Sequence, residues 1–149
     1  MIDRKSRDSL AELMRHLIAG VITNDEFESR CPESTDPAVF EIYWNGAWGL
    51  YDDLHEHRMT GRWYIPRDAR SDLSRAILFL KGDLHYEWPP YPSRPKLLSM
   101  MLSLLTLGFA NRLMLRSWKR HGDSAVWPFM SREDYERALA QPPYLARAS

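Results

Sequence analysis

From Leu10 the apolar residues recur at 10, 13, 14, 17 and 18, the three-and-four spacing of one buried helix face, and Ala19-Gly20 closes the run with a residue suited to a left-handed terminus. The pattern predicts a helix over about 6–19. Thr23-Asn24-Asp25-Glu26 then has the form of a capping box, in which the Thr23 hydroxyl and the Glu26 carboxylate each satisfy a backbone N–H of the other. A short second helix follows, carrying Phe27 toward the first, so that 6–31 forms a helical hairpin. Asp36-Pro37 reads as an N-cap and first helical position of a third helix. There Phe40, Trp44, Ala47, Tyr51 and Leu54 recur at steps of four and three, which predicts an aromatic-rich buried face used for core filling. Ala69, Leu73, Ala76, Ile77 and Leu80 define a fourth helix ended by Gly82-Asp83, with Arg67, Asp68, Arg70, Asp72 and Arg75 expected on its outer face.

Four prolines between Trp88 and Pro95 remove backbone donors and make 88–95 a stiff, non-helical connector, packed on its own domain through Trp88 and Tyr91. The longest helical pattern follows, over about 96–120. Leu97 to Ala110 carries no charge, and its leucines and methionines surround the axis, the signature of a central bundle helix. The 14-residue run is shorter than the roughly 20 apolar residues of a membrane span, which favours burial over insertion. Ser131 caps a last helix over 132–140, and Tyr144 and Leu145 are expected to lie back on the body. The class that results is all-α: a single domain over 1–149, with five to six helices around a central apolar helix at about 96–120.

Composition supports a packed domain, because 44% hydrophobic residues, with six Trp, seven Tyr and five Phe, exclude wholesale disorder. Lys plus Arg equal Asp plus Glu at 20 each, so the overall field offers nothing to attract nucleic acid. A lone Cys31 precludes an internal disulfide and stands in no context that activates a thiol. The charged start has no apolar stretch behind it, and a cytoplasmic location is the expectation.

Candidate chemistry is sparse. Asp52-Asp53-Leu54-His55-Glu56-His57 is the densest titratable cluster, and at four-residue spacing on a helix Asp53 lies beside His57 and Asp52 beside Glu56. His55 and His57, with His85 folding back, are weak metal candidates and the basis of an alternative reading as a small metal-dependent enzyme. Two residues apart, however, His55 and His57 diverge on a helix, and a solvated helix end with imidazoles at its negative pole explains them better. No nucleophile elbow or glycine-rich phosphate loop is present. No catalytic residue and no cofactor is expected.

Charge placement says more. Between Trp88 and Gly122 stand six basic residues, Arg94, Lys96, Arg112, Arg116, Lys119 and Arg120, and no acidic one, which leaves the remainder at net minus six. Arg112, Arg116, Lys119 and Arg120 share a helix face and are candidate partner-binding residues, as are Asp52, Asp53 and Glu56 at the acidic pole. Intramolecular pairing of the two poles is the competing arrangement.

Leu10 to Arg30, through Gly20-Val21-Ile22-Thr23 and Glu26-Phe27-Glu28, resembles the SHOCT helical hairpins of bacterial proteins, a likeness that implies a role in association. Arg67-Asp68-Ala69-Arg70, Arg75, the run from Ile77 to Pro89 and Val126-Trp127-Pro128-Phe129 resemble a set of small bacterial proteins, which implies no activity, cofactor or site. The expected function is a noncatalytic protein-interaction module of the bacterial cytoplasm. Its expected partner is another protein, a toxin to be neutralised or a larger assembly to be adapted, with a homo-oligomer as a further possibility. Peripheral membrane contact through 97–120 is the main alternative.

Overall fold

A computed structural model describes residues 1–47, 50, 54–90 and 109–142, with side-chain burial given outside 109–111. Helices α1 (Arg4–Ile18), α2 (Asn24–Ser29), α3 (Pro37–Ile42), α4 (Arg67–Lys81), α5 (Phe109–Lys119) and α6 (Arg132–Ala140) follow in chain order, and no strand occurs among the described residues. The protein is all-α. Asp3 caps α1 from outside, accepting from the Ser6 N–H, and so starts the helix two residues earlier than its apolar spacing indicates. Both halves of the Thr23–Glu26 capping box form on α2, Asp36 caps α3 with Pro37 behind it, and Ser131 caps α6.

The centre of the described structure is the pair α1 and α4. Leu10, Ala11, Leu13, Met14 and Leu17 of α1 meet Leu73, Ala76, Leu78, Phe79 and Leu80 of α4, with Phe27, Ala38, Val39, Ile42 and Phe129 closing one continuous core. The two helices run antiparallel and satisfy each other's last carbonyls. Arg4 donates to the carbonyls of Leu80, Lys81 and Gly82 at 2.8–2.9 Å, while at the other end Arg70 reaches the Ile18 carbonyl at 3.4 Å and Arg58 the carbonyls of Gly20 and Val21. Carbonyls at a helix C-terminus lack intrahelical donors and carry partial negative charge, so a guanidinium is well matched to them. Arg70 and Arg75 were expected on the outer face of α4. Instead Arg70 lies over the Tyr64 ring at 4.3 Å, and Arg75 donates to the Trp127 carbonyl at 3.3 Å.

Arg7 is the deepest charge. Its side chain and that of Asp36 are each 1% exposed, joined by Nε–Oδ2 at 2.6 Å and Nη2–Oδ1 at 3.1 Å. The Asp36 carboxylate also accepts from the N–H groups of Asp3 and Ala38, and Arg7 Nη1 donates to the Leu84 carbonyl at 2.8 Å. Every lone-pair site of the carboxylate is thereby used. Burial pushes the Asp36 carboxyl upward, but the Arg7 hydrogen bond, the two backbone N–H groups and the Arg7 charge together hold it below the ordinary carboxylate value.

The aromatic stripe of the third helix does not form as expected. Phe40 is 45% exposed, Trp44 41% and Leu54 84%, while Ala38, Val39, Ile42 and Ala47 are buried, and Tyr51 lies outside the described residues. The reason is a change of helical period: α3 gives way at Tyr43 to a π-helical turn over Tyr43–Ala47. Its wider turn spaces the buried positions Ile42 and Ala47 five apart, so a 3.6-residue stripe loses phase with the core.

The central-helix expectation, over about 96–120, falls largely on 96–108, outside the described residues. Its described end, α5, has exposed side chains over most of its surface. Residues 91–95 of the connector and 143–149 of the tail also lie outside the described residues, whereas Trp88 is buried.

Candidate functional site

One buried tryptophan holds α5. Trp118 stacks at 4.5 Å on Trp88, donates from Nε1 to the Pro89 carbonyl at 2.9 Å, and is 7% exposed. Trp88 in turn donates to the Phe129 carbonyl at 3.1 Å, which ties this aromatic pair to the core. The chain leaves α5 through Gly122, where a Cβ would stand 2.7 Å from the Met130 carbonyl oxygen and 3.0 Å from the Trp88 ring. No larger residue fits there without displacing backbone. Asp123 then donates its N–H to the same carbonyl at 2.9 Å, closing the turn that leads to α6.

With Trp118 turned inward, the helical advance of 3.6 residues per turn sends Arg112, Arg116 and Lys119 to the opposite side, with Arg120 in the following turn. All four are exposed, and none makes an ion pair or a side-chain hydrogen bond among the described residues. Leu113 at 50% and Met114 at 49% exposure interrupt the basic surface with apolar area. Like charges at i and i+4 repel by about 0.2–0.5 kcal/mol per pair on an isolated helix. The Arg112–Arg116 and Arg116–Arg120 spacings carry that repulsion with no internal anion against them. Favourable placement of Arg116 and Lys119 near a helix C-terminus compensates in part, each by about 0.3–1 kcal/mol.

The acidic pole is less coherent. Asp52 and Asp53 lie outside the described residues, and Glu56 accepts from the Thr23 hydroxyl at 2.8 Å, which joins it to the hairpin. Residues 55–57 are not the solvated helix end expected from sequence, because they are non-helical and bound to the buried Asn24 side chain. Asn24 Oδ1 accepts from the His57 N–H at 2.7 Å, and its Nδ2 donates to the His55 carbonyl at 3.2 Å. An isolated antiparallel bridge between Thr23 and Arg58 follows. The His57 ring is buried face to face on Trp63 at 4.0 Å, with Nδ1 against the His55 carbonyl at 2.8 Å. His55 and His85 are exposed, and no group of three His, Cys, Asp or Glu side chains converges among the described residues.

Cys31 is half-buried, and burial pushes its thiol up to about 11, so at neutral pH it is protonated and a poor nucleophile. The buried pair Arg7–Asp36 was missed by sequence reasoning, though one signal existed: position 7 falls one turn before Leu10 and Ala11, on the same stripe as the core residues. Comparison with known proteins gives no match: no family model, no curated protein and no solved structure aligns with this chain.

Proposed function

We propose that this chain is a noncatalytic protein-interaction module of the bacterial cytoplasm, and that the basic face of α5 docks an acidic surface of another protein. The supporting observation is the unpaired state of Arg112, Arg116, Lys119 and Arg120 on a helix held in place by Trp118. Exposed guanidinium groups form planar, bidentate contacts with carboxylates, and Leu113 and Met114 supply apolar area beside them. Toxin neutralisation or service as an adaptor in a larger assembly both call for such a surface, and neither needs a catalytic constellation.

The test is affinity capture from the source cells with the wild-type chain and with an Arg112→Glu/Arg116→Glu/Lys119→Glu variant. An acidic protein retained by the first, lost by the second and released by salt supports the reading. Equal retention by both sinks it. A second reading, attachment to anionic lipid, is favoured by the half-exposed Leu113 and Met114 among basic residues. No helix among the described residues is long and apolar enough to cross a membrane, so this contact would be peripheral. Sedimentation with phosphatidylserine vesicles, absent with phosphatidylcholine vesicles, would favour lipid over protein.

A further inference from the structure

A half-open groove of about 300 Å³ lies between α3 and the segment 31–34 that leads toward it. Phe40 of α3, with Tyr43 and Trp44 of the π-helical turn, supplies its aromatic lining, and Phe40 is 45% and Trp44 41% exposed. The Trp44 ring meets Phe40 at 6.2 Å and 64° and Tyr43 at 5.3 Å and 80°, so the three rings form corners and not one flat patch. Among the described residues, Glu33 is the only charged one in the lining. It is exposed, and no described residue forms an ion pair or hydrogen bond with its carboxylate. Arg30, the nearest cation in sequence, stands outside the lining. The Ser34 hydroxyl is already engaged, donating to Asp3 at 2.8 Å and accepting from the Asp36 N–H at 3.1 Å. The Cys31 thiol, protonated at neutral pH, adds no charge.

The face of an aromatic ring carries partial negative charge, and an unpaired carboxylate beside it adds a full one, so the groove is complementary to a cation. A primary ammonium brings three N–H donors, each of which leaves water on entering and needs an acceptor in return. A quaternary ammonium has no donor to satisfy: its methyl groups pack on ring faces while the rings and a carboxylate meet its charge. The volume lies at the low end of the roughly 300–1,000 Å³ range of small-molecule sites, which suits a compact occupant. Helical turns of π type are rare and recur at functional sites, and here the turn delivers two of the three rings. We infer that the groove between α3 and the segment 31–34 binds a small quaternary ammonium compound, its methyl groups against Phe40, Tyr43 and Trp44 and its charge toward Glu33. This site is separate from the α5 face and stands or falls independently of it.

The experiment is an NMR titration of the full chain with choline, with ethanolamine, and with the neutral isostere of choline that carries a tert-butyl group in place of the trimethylammonium. Choline is expected to shift the Trp44 indole N–H and the Phe40 and Tyr43 ring signals saturably, and to bind about tenfold more tightly than either of the other two. Glu33→Gln, at an exposed position, should lower choline affinity severalfold with the unfolding midpoint unchanged. Trp44→Leu should lower it about tenfold, by removal of the ring that meets both others. Arg112→Glu/Arg116→Glu should leave choline binding as it is. Equal binding of the neutral isostere, tighter binding of ethanolamine, shifts that fail to saturate, or indifference to Glu33→Gln would each overturn the assignment. Binding of a trimethyllysine peptide at the same rings, with choline silent, would overturn it too and give the groove to a protein.

Discussion

Asp36 shows how one carboxylate serves local and distant structure together, since it caps α3 and neutralises Arg7 from 29 residues away. Removing one member of a buried pair strands the other charge, which costs about 3–5 kcal/mol, whereas replacing both by apolar groups is often neutral. Asp36→Asn should therefore lower the urea midpoint strongly at neutral pH, and Arg7→Met should do the same. A carboxyl held below its ordinary value in the fold contributes stability above the unfolded value of 3.8, and that contribution is lost as pH falls through the lower folded value. The stability gap between wild type and Asp36→Asn should thus hold from pH 7 to 5 and narrow below about pH 4, in the range of the unfolded Asp value. A constant gap down to pH 2 would contradict this account. At Cys31, whose thiol is pushed up to about 11, disulfide reagents at pH 8 should react far more slowly than with free cysteine, and urea should restore the ordinary rate.

At the next scale, α2, α3 and α6 start on caps within a turn of them, while arginines from elsewhere in the chain meet carbonyls at the ends of α1 and α4. Thr23, Asp36 and Ser131 cap from within three residues, while the C-termini of α1 and α4 depend on Arg58, Arg70 and Arg4. The π-helical turn after α3 belongs to this scale too, since it redistributes Phe40 and Trp44 to the rim without changing their sequence spacing. Anchoring of α5 depends on a close passage at Gly122. Gly122→Ala should force the Met130 carbonyl or the Trp88 ring aside and destabilise by about 1–3 kcal/mol, the usual cost of overpacking. Tryptophan fluorescence should report the disturbed Trp88–Trp118 stack, and an unaltered spectrum and melting curve would mean that the contact is looser than its geometry indicates.

Across the whole molecule, equal numbers of acids and bases do not produce an evenly neutral surface. Arg4, Arg7, Arg15, Arg75 and Lys81 of α1 and α4 are met by carboxylates or backbone carbonyls, whereas Arg112, Arg116, Lys119 and Arg120 have no such partner among the described residues. Charge reversal at Arg112, Arg116 and Lys119 should accordingly leave stability within about 0.5 kcal/mol, as expected of surface positions without partners. The same reversal should eliminate binding to an acidic partner. That binding should also weaken steeply with salt, since the screening length shortens from about 8 Å at 0.15 M to 3 Å at 1 M. A marked loss of stability in the variant would show that these residues are structural after all.

By itself the sequence determined the helical class, the caps at Thr23, Asp36 and Ser131, and the apolar faces of α1 and α4, because these depend on residues within about one turn of each other. It also determined that Arg112, Arg116 and Lys119 share a face, which follows from helical period alone. Whether those cations would be neutralised by the acidic helices was beyond it, as were the Arg7–Asp36 pair, the inward turn of Arg70 and Arg75, and the capture of 55–57 by Asn24. Each joins residues 29 or more positions apart, so no local spacing encodes it. Tertiary packing decided them: a buried charge or carbonyl must find its partner wherever the fold brings one.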